Sequence, residues 1–197
     1  NCSSATDFYM LFKRIIDLII LFVSVFLFVV PMLIIAIAIR LSSKGPALYW
    51  SDRIGKNNRT FRMPKFRTMM IKTPEVATHL MTNPNQFITP IGGFLRQTSL
   101  DELPQLLSVL KGDMSFVGPR PALFNQNDLI ALRSENNLDT LLPGLTGWAQ
   151  VNGRDELSIY EKVILEVEYM KKKSFWFDLK ILWMTFLKVI NNQDVSH

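Results

Sequence analysis

The chain has very little cysteine and histidine. Its single cysteine, Cys2, lies in a polar N-terminal stretch, and its two histidines are His79 and His197. A lone cysteine excludes a disulfide framework and a cysteine-based zinc site. Neither histidine lies in a metal-binding pattern such as H-E-x-x-H, so the sequence does not support histidine-based metal chemistry.

The chain also lacks an excess of acidic residues. It has 22 basic and 17 acidic residues among 197, which gives a net charge of +5, and this length favours a single domain. A basic cluster with Asp52 as its one nearby acid comprises Arg53, Lys56, Arg59, Arg62, Lys65, Arg67 and Lys72. Its position favours attraction to anionic lipid headgroups. Contact of some of these cations with substrate phosphates is the alternative, and no recognition motif supports nucleic-acid binding.

Charge is absent from one long run, Leu18 to Ile39, which only Ser24 and Pro31 interrupt. About 22 residues at ~1.5 Å per residue are enough to cross a bilayer core, and the run is too long for a cleaved signal peptide. A single spanning helix is therefore one interpretation. Pro31 removes a backbone hydrogen bond inside the run and predicts a kink.

Basic residues flank the run on both sides, with Lys13 and Arg14 before it and Arg40 and Lys44 after it. Positive charge favours the cytoplasmic side of a membrane. A helix that enters, bends at the proline and returns keeps both flanks inside, whereas a spanning helix does not. The residues alone leave both interpretations open.

The following segments show shorter patterns. Ala47 to Trp50 and Thr60 to Met63 are typical of strands around a turn at residues 55–58, and Thr73 to Pro90 is typical of an irregular loop. Asp155 to Lys173 has helical periodicity. Ser174 to Ile190 is an aromatic, amphipathic segment that suits either a lipid interface or the protein core.

The segment from Thr98 to Pro121 contains adjacent carboxylates, Asp101 and Glu102. Ser99 and Glu102 match the S-x-x-E pattern of a helix capping box, and Gly112 predicts the end of that helix. The simplest interpretation is that both acids complement a helix dipole.

A functional interpretation of the same pair is catalytic. One carboxylate acts as a nucleophile and the other binds Mg²⁺, and the helix N-terminus keeps both ionised. Arg96 precedes the pair, and Arg120 lies between two prolines. Arginine suits bidentate binding of phosphate.

Five blocks of the sequence resemble the monotopic phosphoglycosyl transferases, bacterial sugar transferases that begin polysaccharide and glycoprotein glycan assembly. Together they cover nearly all of residues 12 to 194 in the family's order. The blocks are KRIIDLI with a run broken by Pro31, KFRTM at Lys65 to Met69, SLDELPQLLSVLKGDMSFVGPRP at Ser99 to Pro121, PGLTGWAQVNGR at Pro143 to Arg154, and FDLKI at Phe177 to Ile181.

The resemblance implies a reaction. A UDP-sugar donates its phospho-sugar to polyprenyl (undecaprenyl) phosphate, releasing UMP and leaving a polyprenyl-diphospho-sugar. Asp101 corresponds to the aspartate that carries a covalent phospho-sugar intermediate, and Glu102 helps to place Mg²⁺, so both are expected catalytic and metal-binding residues.

The resemblance also implies further site residues. Substrate phosphates are expected at Lys65, Arg96, Arg120 and Arg154. The nucleotide end is expected at a loop that contains Gly144, Thr146, Gly147 and Gln150.

The implied fold is a membrane-associated α/β protein, mainly α, forming a single domain over residues 1–197. Residues 12–40 form a re-entrant helix bent at Pro31, and residues 41–197 form a small cytoplasmic catalytic part with interfacial amphipathic helices and a β-hairpin. The expected location is the cytoplasmic face of the bacterial inner membrane, with anionic lipids as partners, no nucleic acid, and a homodimer left open. Val30 and Pro64 depart from residues common in the family.

Two questions stay open in the sequence. The chain is either a minimal enzyme or the catalytic part of a longer one. A non-catalytic membrane adaptor, which binds anionic lipid and a partner protein, is the alternative function. It does not account for an acid pair joined to a Pro-Arg-Pro loop.

Overall fold

A long N-terminal helix and a small α/β body make up the protein, which a computed structural model describes at residues 2–71, 73, 87–153 and 156–190. The helices are α1 (Cys2–Ser42), α2 (Gly92–Gln97), α3 (Leu106–Lys111), α4 (Asn127–Glu135), α5 (Trp148–Val151), α6 (Ile159–Lys172) and α7 (Phe175–Ile190). The strands are β1 (Leu48–Ile54), β2 (Thr60–Phe66), β3 (Ser115–Val117), β4 (Ala122–Leu123) and β5 (Gly144–Thr146). Short 3₁₀ segments span Lys56–Asn58, Leu100–Gln105 and Leu138–Thr140. The fold is thus mainly helical with little sheet.

The predicted hairpin is confirmed. β1 and β2 pair antiparallel, with Leu48 opposite Phe66 and Ile54 opposite Thr60. Asn57 adopts a left-handed backbone with φ of 55°, which asparagine tolerates in tight turns. β4 pairs with the other edge of β1 and extends the sheet to three strands.

The strands β3 and β5 form a second, parallel pair, with Val117 opposite Thr146. Beyond this pair, the Gly118 amide donates to the Thr146 carbonyl at 2.9 Å, and the Gly144 amide donates to the Pro119 carbonyl at 2.9 Å. The loop that carries Arg120 is therefore held between β4 on one side and the β5 segment on the other.

Helix α1 packs against the body at two separate places. Leu21 is buried in the main core, which includes Val109 and Met114. Ile39 is buried with Phe66 in another cluster. Between these two contacts most apolar side chains are exposed, as Phe22 (65%), Phe26 (83%) and Val30 (61%) illustrate; the set also includes Val23, Val25, Leu27, Phe28 and Val29.

Polar contacts reinforce both attachments of α1. The Arg14 guanidinium donates to the carbonyls of Val109 (2.7 Å) and Leu110 (2.9 Å), where it caps the end of α3. Asp17 accepts from the Ser115 hydroxyl at 2.7 Å. Arg67 donates to the carbonyls of residues 43 and 44, just past the end of α1. Both ends of the long helix are thus tied to the same body.

Among the described residues, the helical stretch Tyr9–Ser42 is long and apolar enough to cross a membrane by length and composition. The backbone of α1 stays helical through Pro31 from Cys2 to Ser42. The expected return of the chain to one membrane face at this proline stays a prediction.

The predicted capping box at Ser99 and Glu102 is wrong. Ser99 has a left-handed backbone (φ 55°) and makes no side-chain cap, and the segment that follows is a 3₁₀ helix rather than the first turn of an α-helix. In an α-helix the ring of Pro104 would clash with the carbonyl of residue 100, which disfavours that geometry here. The predicted stop at Gly112 is confirmed, since its φ is 87°.

The C-terminal predictions agree closely with the structure. The expected helix over residues 155–173 is α6, which begins at Ile159 after a capping box formed by Ser158 and Glu161. α7 covers the predicted aromatic segment. Ile181 on one face of α7 is buried in the core. Trp176 and Trp183, on the same helix, are 74% and 59% exposed. Core packing therefore explains one face, and contact of the exposed aromatics with lipid stays a prediction.

Candidate active site

The acid pair lies on the 3₁₀ segment Leu100–Gln105, which hydrophobic contacts fix in place. Leu100 and Leu103 pack against the cluster around Ile39, and Pro104 is fully buried. Asp101 is itself only 9% exposed. The rigid segment presents Asp101 and Glu102 to one cavity.

The Glu102 carboxylate joins three parts of the fold. Its Oε1 atom accepts from Lys65 Nζ on β2 at 2.8 Å and from Arg120 Nη2 in the Pro-Arg-Pro loop at 3.0 Å. The three side chains are 16–31% exposed, so water screens these charges less than at an open surface. Glu102 therefore orients two of the predicted phosphate-binding cations.

Asp101 has a different electrostatic environment from the one expected at a helix N-terminus. Burial raises the pKa of the Asp101 carboxyl; the charge of Lys65 opposes this shift most, Glu102 raises the pKa further, and Arg96 and Arg120 lower it. Asp101 lies on a short 3₁₀ segment and its side chain is desolvated, so the neighbouring cations oppose the effect of burial on its pKa, and the ionised state expected for this acid stays a prediction.

Arg96 lies on the Asp101 side of the site. Its Nε donates to Thr68 Oγ1 at 3.0 Å. Burial lowers the pKa of Arg96, and the charge of Asp101 opposes that shift. The hydrogen bond to Thr68 aims the guanidinium beside Asp101.

The cavity has a volume of about 570 Å³, which is within the range of about 300–1,000 Å³ common for small-ligand sites. Its lining is rich in cations, and its charged and amide-bearing side chains include Arg53, Lys65, Arg67, Arg96, Asp101, Glu102, Arg120, Arg133, Gln150 and Glu166. Apolar and aromatic side chains lie at other parts of the lining, such as Tyr49, Met70 and Phe124, which are 44–51% exposed. Such a cavity suits an anion with an organic portion.

Arg53 and Arg67 are site residues that sequence reasoning assigned to the basic cluster as a whole. Burial lowers the pKa of Arg53 to about 10, and its Nη1 donates to the Pro121 carbonyl at 3.3 Å. Arg67 is 5% exposed. Arg53 lines the cavity, and its contact with a substrate phosphate stays a prediction, whereas Arg67 donates to the carbonyls of residues 43 and 44 and so holds the chain just past the end of α1. The register of the hairpin could have identified Arg53 and Lys65 together, because side chains alternate between the two faces of a sheet and these two lie on the same face.

Three residues of the predicted nucleotide loop lie against the Arg120 loop rather than at the cavity wall. A Cβ added at Gly144 would lie 2.1 Å from the Gly118 nitrogen, and one at Gly147 would lie 2.1 Å from the Gly118 oxygen. Thr146 Oγ1 lies 2.7 Å from Thr185 Oγ1. These residues support the loop from behind, and direct contact with a nucleotide stays a prediction for them.

Gln150, the fourth residue of that group, does line the cavity. Both polar atoms of its side-chain amide are buried and have no hydrogen-bond partner within the described part of the chain. A buried amide without partners is costly, so a ligand that supplies both an acceptor and a donor would be favoured here. Arg154, the remaining predicted phosphate contact, lies outside the described residues.

The acid pair fits a hard divalent cation. Two carboxylates, at Asp101 and Glu102, share one cavity with phosphate-binding cations, and Mg²⁺ prefers one or two carboxylates completed by substrate phosphates and water. Among the described residues no group of three or more His, Cys, Asp and Glu side chains could hold a metal by itself. A substrate phosphate would therefore complete such a site.

The structure combines a cation-rich cavity, a carboxylate pair and a helix long enough to cross a membrane. Together these features define a membrane-associated protein with a site for a phosphate-bearing ligand. The chain belongs to the bacterial sugar transferase family, whose model matches residues 8–192.

Named relatives extend this result. The chain is 39% identical over 191 residues to UDP-glucose:undecaprenyl-phosphate glucose-1-phosphate transferase of Escherichia coli (strain K12), an alignment that covers 93% of the chain and 41% of that protein. It is 37% identical over 171 residues to undecaprenyl-phosphate galactose phosphotransferase of Salmonella typhimurium, covering 78% of the chain and 35% of that protein. The chain thus spans about two fifths of the length of such relatives. The alignment with the sugar transferase EpsL of Bacillus subtilis covers 95% of the chain and 91% of that protein, at 38% identity.

Proposed function

We propose that the chain transfers a phospho-sugar from a UDP-sugar to undecaprenyl phosphate, releasing UMP and forming undecaprenyl-diphospho-sugar. The observation that carries the proposal is the convergence of Asp101, Glu102, Arg96 and Arg120 on one cavity. The Escherichia coli relative is named for a UDP-sugar donor and an undecaprenyl-phosphate acceptor, which supports the same two substrates here.

The first half-reaction would use Asp101 as the nucleophile. A carboxylate oxygen of Asp101 forms a bond to the phosphorus that bears the sugar, while the bond from that phosphorus to the bridging oxygen breaks and UMP leaves with the electron pair. Lys65, Arg96 and Arg120 bind the diphosphate and stabilise the charge that develops on its oxygens. Glu102 holds two of these cations in position.

The second half-reaction would restore the carboxylate. A phosphate oxygen of the lipid acceptor bonds to the same phosphorus, and the bond to Asp101 breaks, so the phospho-sugar ends on the lipid. Mg²⁺ bound by Asp101, Glu102 and substrate phosphates would supply charge neutralisation and orientation of the diphosphate. Gln150 would offer its amide to polar groups of the donor.

A monotopic arrangement on the membrane is part of the proposal. Both ends of α1 are bonded to the body, and the mostly exposed stretch between them, residues 22–30, is about 14 Å long at ~1.5 Å per residue, roughly half of a ~30 Å hydrocarbon core. This supports a re-entrant anchor at Pro31 with the body on the cytoplasmic face of the inner membrane. Anionic lipids would contact the outward members of the basic cluster.

The decisive experiment is UMP release from a panel of UDP-sugars with Mg²⁺, with and without lipid acceptor. Asp101→Asn is expected to lower release at least about 1,000-fold, as removal of a nucleophile does in other enzymes, and to abolish covalent capture of labelled phospho-sugar. The wild type is expected to release about one UMP per enzyme without acceptor.

The matched control is Asp128→Asn, the same chemical change at an exposed position in α4. It should keep wild-type activity, and thermal melts should show both variants folded. Full activity of Asp101→Asn would reject this nucleophile, and strict dependence of UMP release on the acceptor would indicate direct transfer.

A further inference from the structure

A buried ion pair lies at the cavity wall beside the Pro-Arg-Pro loop. Arg133 on α4 and Glu166 on α6 are 9% and 3% exposed. Arg133 Nε donates to Glu166 Oε2 at 2.8 Å, and Arg133 Nη2 donates to Glu166 Oε1. The pair is therefore bidentate, the strongest geometry available to an arginine and a carboxylate.

Stability alone is a weak explanation for this pair. Removing two charges from water is costly, and apolar residues of similar volume often stabilise a core as well or better. The surroundings here would suit such residues, since Leu129 on α4 and Val163 on α6 belong to one hydrophobic cluster. The pair is thus better explained by what else it contacts.

Arg133 also bonds to a residue of the site. Its Nη2 donates to the main-chain carbonyl of Arg120 at 3.0 Å. The Arg120 side chain in turn donates to Glu102 at 3.0 Å. An unbroken series of contacts therefore runs from Glu166 through Arg133 and Arg120 to the acid pair.

We propose that Arg133 and Glu166 are positioning residues that hold the main chain at Arg120, so that its guanidinium meets the donor diphosphate and Glu102 together. The proposal rests on the proposed function of this site. Glu166 orients Arg133, Arg133 holds the Arg120 carbonyl, and the flanking prolines carry that constraint to the side chain.

The test uses the double variant Arg133→Met/Glu166→Met in detergent or nanodiscs. Replacing both charges avoids a buried charge without a partner, so the melting temperature is expected to stay close to that of the wild type. The kcat for UMP release is expected to fall about 10- to 100-fold, more than KM changes, because misplacement of a catalytic group by about 1 Å has effects of that size.

A double-mutant cycle with Arg120→Ala distinguishes positioning from a merely structural role. If the pair acts through Arg120, the loss caused by Arg133→Met/Glu166→Met should disappear in the Arg120→Ala background. Losses that multiply independently in the two backgrounds would overturn the proposal. Glu135→Gln, at an exposed position two residues from Arg133 on α4, is the control and should behave as the wild type.

Arg133→Lys is the second variant if the double replacement does not fold. It keeps the charge but cannot make the same planar set of bonds, so kcat should again fall while folding is preserved. Wild-type kcat in Arg133→Lys would contradict the proposal.

The two proposals can fail separately. A wild type that releases no UMP from any UDP-sugar would contradict the proposed function. Amide hydrogen exchange at residues 118–123 then tests positioning, since it should be faster in the double variant than in the wild type, and unchanged exchange would overturn it.

Discussion

At the residue scale, burial and neighbouring cations have opposite effects on the ionisation of Asp101. Asp101 is nearly buried, which favours its neutral form, while Lys65, Arg96 and Arg120 favour its ionised form. Burial in turn lowers the pKa of Lys65, and the charge of Glu102 opposes that shift. A desolvated carboxylate held by fixed cations is less shielded by water than an exposed one, which suits attack on phosphorus.

The raised pKa of Asp101 predicts the acidic limb of the pH profile. The protonated acid cannot attack, so kcat/KM for UMP release should fall as pH drops through the folded-state pKa. Because burial raises that pKa, the midpoint should lie above the ordinary aspartate value of about 3.9.

The measurement is kcat/KM for the UDP-sugar against pH with lipid acceptor present, since this ratio reports groups of the free enzyme. Asp128→Asn should retain the same limb. A midpoint at or below about 3.9 in the wild type would contradict the assigned environment of Asp101.

At the element scale, close backbone contacts between loops shape the site. β3 and β5 are only three residues each, yet their pairing brings Gly144 and Gly147 against Gly118. Only residues without a Cβ allow this approach. The glycines of this block, expected at the nucleotide, act in the structure as supports for the Arg120 loop.

A glycine substitution tests that support. Gly144→Ala would place its Cβ 2.1 Å from the Gly118 nitrogen and 2.4 Å from the Thr146 oxygen, both backbone atoms, so the loops must separate. We expect a loss of about 1–3 kcal/mol in unfolding free energy, together with lower kcat.

Gly93→Ala is the matched control. A Cβ at Gly93, in α2, meets no atom within 4 Å. This variant should be as stable as the wild type or up to about 1 kcal/mol more stable, since alanine favours a helix. Equal effects of the two substitutions in thermal or denaturant melts would contradict the packing role.

At the scale of the whole molecule, the membrane anchor and the catalytic body form one unit. The start of α1 is bonded to α3, β3 and, through Lys13, to Asp178 on α7, while the end of α1 is bonded to Arg67. Both attachments of the anchor are therefore made to the same body, as the proposed re-entrant arrangement requires. The cavity is lined by Arg67 as well, which places the site next to the end of α1.

Single-cysteine labelling tests this topology. With Cys2→Ser as background, Met10→Cys and Lys44→Cys report the two ends of α1, and Asp128→Cys reports the body; the original residues at positions 10, 44 and 128 are exposed. All three should react with a membrane-impermeant maleimide from the cytoplasmic side only. Labelling of Met10→Cys from the opposite side would contradict the re-entrant anchor.

Local features of the chain could be read from the sequence, because each has a local physical cause. The apolar run specifies the long helix, the turn at residues 55–58 specifies the hairpin, and Gly112 specifies where α3 ends. The five blocks indicated the family, and the candidate residues Asp101, Glu102, Lys65, Arg96, Arg120 and Gln150 do line one cavity.

The tertiary structure alone decided how these parts constrain one another. The 3₁₀ conformation at the acid pair follows from the packing of Leu100 and Leu103 as well as from Pro104, and the raised pKa of Asp101 follows from burial, which depends on the whole fold. Arg133 and Glu166 are 33 residues apart, and no local pattern predicts that they meet beneath Arg120. The sequence by itself determined which chemical groups the site contains, whereas contacts between distant segments determined their geometry and charge, because burial and hydrogen bonding exist only once those segments have packed together.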